Sequence, residues 1–288
     1  MIIKKRTVAI LAIASSFFLV ACQATKSLKS GDAWGVYQKQ KSITVGFDNT
    51  FVPMGYKDES GKCKGFDIDL AKEVFHQYGL KVNFQAINWD MKEAELNNGK
   101  IDVIWNGYSI TKERQDKVAF TDSYMRNEQI IVVKKRSDIK TISDMKHKVL
   151  GAQSASSGYD ALLRTPKLLK DFIKNKDANQ YETFTQAFID LKSDRIDGIL
   201  IDKVYANYYL AKEGQLENYR MIPTTFENEA FSVGLRKEDK TLQAKINRAF
   251  RVLYQNGKFQ AISEKWFGDD VATANIIKRT LVLFLFNR

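Results

Sequence analysis

The chain has 288 residues, 44% of them hydrophobic and 27% charged, with 45 Lys and Arg against 34 Asp and Glu, a formal net charge of +11. That apolar content excludes a disordered polymer, and two cysteines exclude a disulfide-stapled scaffold. Basic residues are scattered among acids, with no basic run longer than three, so the charge reads as a solvated surface facing anionic lipid and cell wall, with no nucleic-acid partner.

Lys4, Lys5 and Arg6 precede Thr7 to Val20, a stretch without charge. A basic start and a short apolar core read as an export signal; a membrane span would need about 20 apolar residues. Leu19-Val20-Ala21-Cys22 resembles the lipobox of bacterial lipoproteins, in which the cysteine becomes the first mature residue and carries lipid. On that reading residues 1–21 are the signal peptide, Cys22 is the lipid attachment site, and residues 22–40 form a flexible tether on the outer face of a cell membrane. Cys63 then has no disulfide partner, and its Gly-bounded polar turn reads as a tolerated surface position.

Strands and helices alternate beyond the tether. Ser42 to Phe47 is rich in β-formers, and Phe66 to Tyr78 has helical spacing with a stop at Gly79. Lys81 to Ile87 reads as a strand, Met91 to Asn98 as a helix, and Ile101 to Trp105 as a buried strand. A second set follows: a strand at Val149 to Ala152, a helical stretch from Tyr159 to Asn175 interrupted near Pro166, a helix at Phe184 to Leu191, and a strand at Ile196 to Ile201. Such alternation predicts an α/β fold with mainly parallel sheets.

The two sets echo each other. Leu96 to Ile104 and Leu191 to Ile199 both run from a helix end through a tight basic turn to Ile-Asp and a buried strand. Five residues after each Asp lie Gly107 and Asp202, at strand carboxyl ends where open α/β sheets bind ligands. Tyr124 to Val133 and Arg220 to Val233 could cross between the sets as a two-strand hinge. The expectation is a discontinuous lobe 1 (41–125 and 229–270), completed by helices at Thr241 to Tyr254 and Phe259 to Phe267, and a lobe 2 (129–225). Residues 271–288 are left as a C-terminal tail of no assigned role; its apolar run Leu281 to Phe286 is too short to span a bilayer.

Six motifs stand in an order that is similar to the polar amino-acid branch of the type II periplasmic-binding-protein family, the receptors of ABC importers. They are Phe47 to Met54, Gly65-Phe66-Asp67-Ile68-Asp69-Leu70, Asn106 to Arg114, Gly158 to Leu162, Asp197 to Asp202, and Lys265-Trp266-Phe267-Gly268. The resemblance runs from about Ser42 to Asp270 and implies a two-lobed receptor that closes on a free amino acid and hands it to ABC permease subunits. A monomer without cofactor or metal is expected, and no catalytic residue.

The chemistry can also be argued from the ligand. A buried zwitterion needs a partner for each charge. Arg114 offers a planar fork to a carboxylate, Ser109 a hydroxyl, and the Gly107 carbonyl an acceptor for the ammonium, the roles that the resemblance also implies. Asp202 is the anion for the ammonium, or a helix cap for the residues after it, and Asp48 is a weaker second acid or cap. Phe51 and Trp89 stand where the family sandwiches the ligand side chain, Trp89 with core packing as the alternative. Ser156 begins a helix whose free N–H groups suit a carboxylate, and Gln153 reads toward the ligand side chain. Ala155 departs from the family's Gly-rich version of that turn. His76 and His147 have no paired acid or nucleophile motif, which disfavours an enzyme. The alternatives are a cyclohexadienyl (arogenate or prephenate) dehydratase on the same fold, or an extracellular sensor domain.

Overall fold

The computed structural model describes residues 31–278. The signal, Cys22 and the apolar run 281–286 lie outside them. In chain order, α1 (Trp34–Gln40) and β1 (Ser42–Phe47) lead to a small antiparallel sheet of β2 (Thr50–Phe51), β3 (Gly55–Lys57) and β4 (Cys63–Lys64). Next come α2 (Phe66–His76), β5 (Lys81–Ala86), α3 (Lys92–Asn97), β6 (Val103–Ser109), α4 (Lys112–Gln115), β7 (Ala119–Phe120) and β8 (Met125–Asn127).

The chain then enters a second lobe: β9 (Gln129–Lys134), β10 (Leu150–Gln153), α5 (Ser157–Arg164), β11 (Asn179–Tyr181), α6 (Phe184–Lys192), β12 (Gly198–Asp202), α7 (Lys203–Lys212) and β13 (Tyr219–Pro223). β14 (Glu229–Leu235) returns to the first lobe, and α8 (Lys240–Gln255) and α9 (Lys258–Phe267) follow.

Two mixed sheets result, each a parallel run of three strands continued by antiparallel strands. The first has the order β5-β1-β6-β14-β7, with β8 also on β14; the second is β11-β10-β12-β9-β13. β1 runs parallel to β5 and β6, and β10 parallel to β11 and β12, so the strand ends at Phe47, Ser109, Gln153 and Asp202 share the sense of their neighbours. β6 is buried along its whole length, as expected of a central strand covered on both faces. Helix α8 places Leu242, Ile246, Ala249, Phe250 and Leu253 at i, i+4, i+7, i+8 and i+11, the stripe that packs against the first sheet.

Both crossovers sit side by side. Asn127 ends β8 on the first sheet, Gln129 begins β9 on the second, and Glu229 at the start of β14 pairs with Asn127. Only one residue separates the two sheets on the outward crossing, which makes a short hinge.

Three sequence expectations need correction. Residues 34–40 are not tether but helix α1, because Trp34 and Tyr37, three apart, form one buried face; Trp34 meets Tyr78 edge-on with centroids 5.3 Å apart. The helical stretch expected from Tyr159 to Asn175 does break near Pro166, with α5 ending at Arg164, but it does not resume as helix: only short 3-10 turns follow at 166–168 and 174–176, and Asn175 takes a left-handed φ of 61°. Residues 271–278 are not a free tail: 274–278 are helical, Ile276 is buried, and the Thr273 amide donates to the Tyr124 carbonyl at 3.2 Å.

Candidate functional site

The strand ends of the two lobes face each other across a narrow, nearly filled gap. Asp48, Phe51, Trp89, Asn106, Gly107 and Arg114 line it from the first lobe. Gln153, Ser156, Ser157 and Asp202 line it from the second. Ser109 stands just behind this lining.

Arg114 is not a surface arginine; it is 3% exposed. Thr111 caps the short helix α4 by accepting from the Arg114 amide, which fixes the backbone from which the guanidinium leaves. Arg114 Nη1 donates to the Ser109 carbonyl at 3.0 Å, and Nη2 donates to the Ala155 carbonyl in the other lobe at 3.1 Å. The guanidinium also lies 4.7 Å from the Tyr108 ring centroid, a cation–π contact that holds its plane. The result is a cation oriented from below and aimed across the gap.

A second cation joins it. Lys92 at the start of α3 is 2% exposed, and its Nζ donates to the carbonyls of Trp89 (3.0 Å) and Ala155 (3.1 Å). Burial, and then the positive charge of Arg114, pushes its ammonium down to about 8. Ala155 adopts a left-handed φ of 50°, which turns its carbonyl toward both cations.

Gly107 also needs a left-handed conformation, with φ of 58°, and an added Cβ would stand 2.8 Å from Phe51 Cε1. Its amide donates to Asp67 Oδ2 at 2.7 Å, and the Tyr124 hydroxyl donates to the same oxygen at 2.9 Å. Asp67, from the Gly65-Phe66-Asp67 motif, therefore anchors the gap-lining turn; burial pushes its carboxyl up to about 7.

Asp48 does two jobs. Its Oδ1 accepts from the Thr50 amide and hydroxyl at 2.9 and 2.7 Å, while Oδ2 accepts from Gln153 Nε2 at 2.9 Å across the gap. Burial raises its carboxyl above the usual range. Gln153 Nε2 also donates to the Glu182 carbonyl at 3.0 Å, so both of its amide hydrogens have partners. Ser156 caps α5 by accepting from the Tyr159 amide at 3.1 Å.

Asp202 ends β12 but makes no side-chain cap to α7, which removes the helix-cap alternative. Its Oδ1 instead accepts from Asn127 Nδ2 at 2.6 Å and Gln129 Nε2 at 3.0 Å. Burial, and next the charge of Glu229, pushes the Asp202 carboxyl well above the usual carboxylate range. Ser109 departs from the expected role as donor to a ligand carboxylate: its hydroxyl donates to Glu229 Oε2 at 2.6 Å.

The aromatic walls are packed from both sides. Phe51 reaches across to Phe184 and Tyr205 of the second lobe, with centroids 6.0 and 5.5 Å apart. Trp89 stands edge-on to Tyr108 at 5.8 Å and is 7% exposed. It serves the core and the gap at once.

Sequence reasoning missed Lys92, Asn106, Asn127, Gln129, Ser157 and Glu229 as site residues. Asn127 and Gln129 were visible only as polar residues within a predicted crossover. Glu229 sits in a run with Glu227 and Asn228 that reads as solvated.

Comparison with known proteins places these features. The model of the bacterial extracellular solute-binding proteins, family 3, matches residues 43–269. The L-cystine-binding protein TcyA of Bacillus subtilis is 31% identical over 277 residues, covering 93% of this chain and 99% of that protein. The arginine-binding extracellular protein ArtP of the same organism is 28% identical, covering 92% and 98%. The solved structure of an ABC uptake transporter substrate-binding protein from Streptococcus pneumoniae, with bound histidine, superposes with a TM-score of 0.84 at 61% identity over 85% of this chain and 100% of that one. An ancestral arginine-binding protein bound to glutamine gives a TM-score of 0.72 at 36% identity, over 80% and 99%.

Proposed function

From its membership of family 3 of the bacterial extracellular solute-binding proteins, to which this chain belongs, we propose that it captures a free polar amino acid in the interlobe gap and delivers it to the permease of an ABC importer. The observation that carries this reading is the pairing of opposite charges across one gap: Arg114 and Lys92 converge on one end, and Asp202 lies at the other lobe's strand end. A zwitterion needs both a cation and an anion in a desolvated site. Arg114 takes the carboxylate with the amides around Ser156, and Asp202 with the Gly107 carbonyl takes the ammonium. Phe51 and Trp89 flank the side chain, while Asp48 and Gln153 meet its polar end. The two closing bodies are residues 41–125 with 229–270, to which helix α1 and residues 271–278 are fastened, and residues 129–225.

Histidine is the first ligand to test, because the Streptococcus pneumoniae protein with bound histidine is 61% identical. Cystine and arginine follow from the names of the relatives. The lipobox-like Leu19-Val20-Ala21-Cys22 supports export, lipid attachment at Cys22 and a position on the extracytoplasmic face of the cell membrane. The protein acts as a monomer and as a binder, not as an enzyme.

A thermal-shift screen of the protein against the twenty amino acids and cystine tests the reading. A ligand binding only the native state stabilises it by about 2.7 kcal/mol at a hundredfold excess over Kd. No shift with any of them overturns it, and aromatic product from prephenate or arogenate would make the protein a dehydratase.

A further inference from the structure

We propose that Glu229 is a positioning residue of the ligand gap: it takes the hydroxyl hydrogen of Ser109 and forms with Asp202 an acid pair that a ligand's ammonium completes, so that binding expels a proton. This inference rests on the proposed amino-acid site and adds a residue and a proton to it.

The geometry is specific. Glu229 Oε2 accepts from Ser109 Oγ (2.6 Å) of the first lobe and from Ser157 Oγ (2.9 Å) of the second. It also accepts from Asn127 Nδ2 and Gln129 Nε2 at 3.2 Å each, and these are the amides that hold Asp202 Oδ1. Two acids therefore share one pair of amide donors at the point where the chain crosses between sheets. A serine hydroxyl has one hydrogen. Once Ser109 gives it to Glu229, only lone pairs remain, and these suit an ammonium, not a carboxylate.

Charge accounting gives the proton. Arg114, from α4, faces the pair with a positive charge, while Lys203 at the start of α7 turns to Glu128 at 2.9 Å. Neighbouring like charges in a desolvated frame cannot both ionise cheaply, and the raised Asp202 carboxyl follows from burial and from Glu229. An ammonium placed between Ser109 and Asp202 puts a cation in direct contact with the pair while the ligand's carboxylate engages Arg114, so contact, not net charge, favours loss of the proton. The ligand keeps its protons, and the one on Asp202 leaves to solvent.

The sign follows. Below the raised Asp202 range, binding must remove a proton, so affinity for an ammonium falls as pH falls, by up to about tenfold per pH unit. Above that range the linkage vanishes. A neutral hydroxyl in place of the ammonium removes it at every pH.

Titration calorimetry on the full chain with L-histidine and with imidazole-lactate tests this. The two share side chain and carboxylate, but the nearby ammonium lowers histidine's imidazole pKa, so each free ligand's own titration is measured and corrected for before the ratio is taken. Between pH 5.5 and 8 the preference for histidine should grow at least tenfold, with proton release read from two buffers of different ionisation enthalpy. Glu229→Gln should make that growth shallower and reduce the proton release, leaving the part that burial of Asp202 causes, and Glu229→Asp should restore part of what is lost. A preference independent of pH in the natural protein, or an unchanged profile in Glu229→Gln, overturns the inference while amino-acid binding stands. If Glu229→Gln does not fold, proton release by the natural protein decides. If histidine gives no heat, arginine and its α-hydroxy counterpart replace the probes, and silence from every amino acid overturns the proposed function itself.

Discussion

Gln153 of the second lobe donates to Asp48 of the first at 2.9 Å, so the two residues close one end of the gap with a direct bond. The other end is closed by Arg114 and Lys92 on the Ala155 carbonyl. A ligand between these contacts substitutes its own polar groups for lobe-to-lobe bonds, and its affinity reflects the difference. In Asp48→Asn the acid becomes an amide of nearly the same shape, with one acceptor fewer. Affinity for the best amino acid should fall about tenfold, the cost of one charge-assisted hydrogen bond of about 1.5 kcal/mol. Calorimetry on a variant with unchanged circular dichroism checks it. Equal affinity would remove Asp48 from the ligand's surroundings.

Arg114→Ala should cost more, about 2–5 kcal/mol of binding, because the ligand carboxylate is then buried without its partner. Arg114→Lys should recover only part of that, since an ammonium has no planar fork and loses the stacking on Tyr108 at 4.7 Å. Full recovery by Lys would show that charge alone matters. An unaffected alanine variant would reassign the carboxylate to Lys92.

Much of this site was legible in residue types at strand ends. Arg114, Asp202, Asp48 and Gly107 each follow a predicted strand and carry chemistry that an amino acid requires. Their surroundings were not legible, because burial is decided by distant segments. Lys92 belongs to Asp90-Met91-Lys92-Glu93, which reads as a solvated helix start until the Ala155 carbonyl of the other lobe covers it. Of Glu227 and Glu229, only the second turns inward, and the choice is made by the register of β14 against β8, where Glu229 pairs with Asn127. Helix α1 was legible in principle from Trp34 and Tyr37, three apart, yet the surrounding polar residues resemble a linker.

Asp67 gives a prediction about pH and folding. Burial pushes its carboxyl up to about 7, whereas in an unfolded chain it titrates near 3.8. Between those values the folded state holds a proton that the unfolded state has lost. Stability from this group therefore decreases as pH rises from about 4 to about 7. Asp67→Asn keeps an oxygen for the Gly107 amide and the Tyr124 hydroxyl but cannot ionise. Urea unfolding at pH 4.5, 5.5 and 7 should show a smaller loss of stability with pH in the variant. Parallel curves for the two proteins would mean that Asp67 is ionised throughout.

Closure itself can be measured. Arg114 and Gly107 belong to one lobe, Ser156 and Asp202 to the other, and the sheets are joined by short crossovers at Glu128 and before Glu229. A ligand that touches both sets binds the closed arrangement better than an open one, and only that difference moves the population. A shift from 1:99 to 99:1 needs about a ten-thousandfold difference in affinity, which two charge partners on opposite lobes can supply. Saturating amino acid should therefore reduce the radius of gyration in X-ray scattering. Asp202→Ala removes the second lobe's anion, and should weaken affinity and reduce the compaction together. Arg114→Ala should do the same from the first lobe. Tight binding with unchanged scattering in the natural protein would mean that the lobes do not move, and that the ligand enters by a local opening around Asp48 and Gln153.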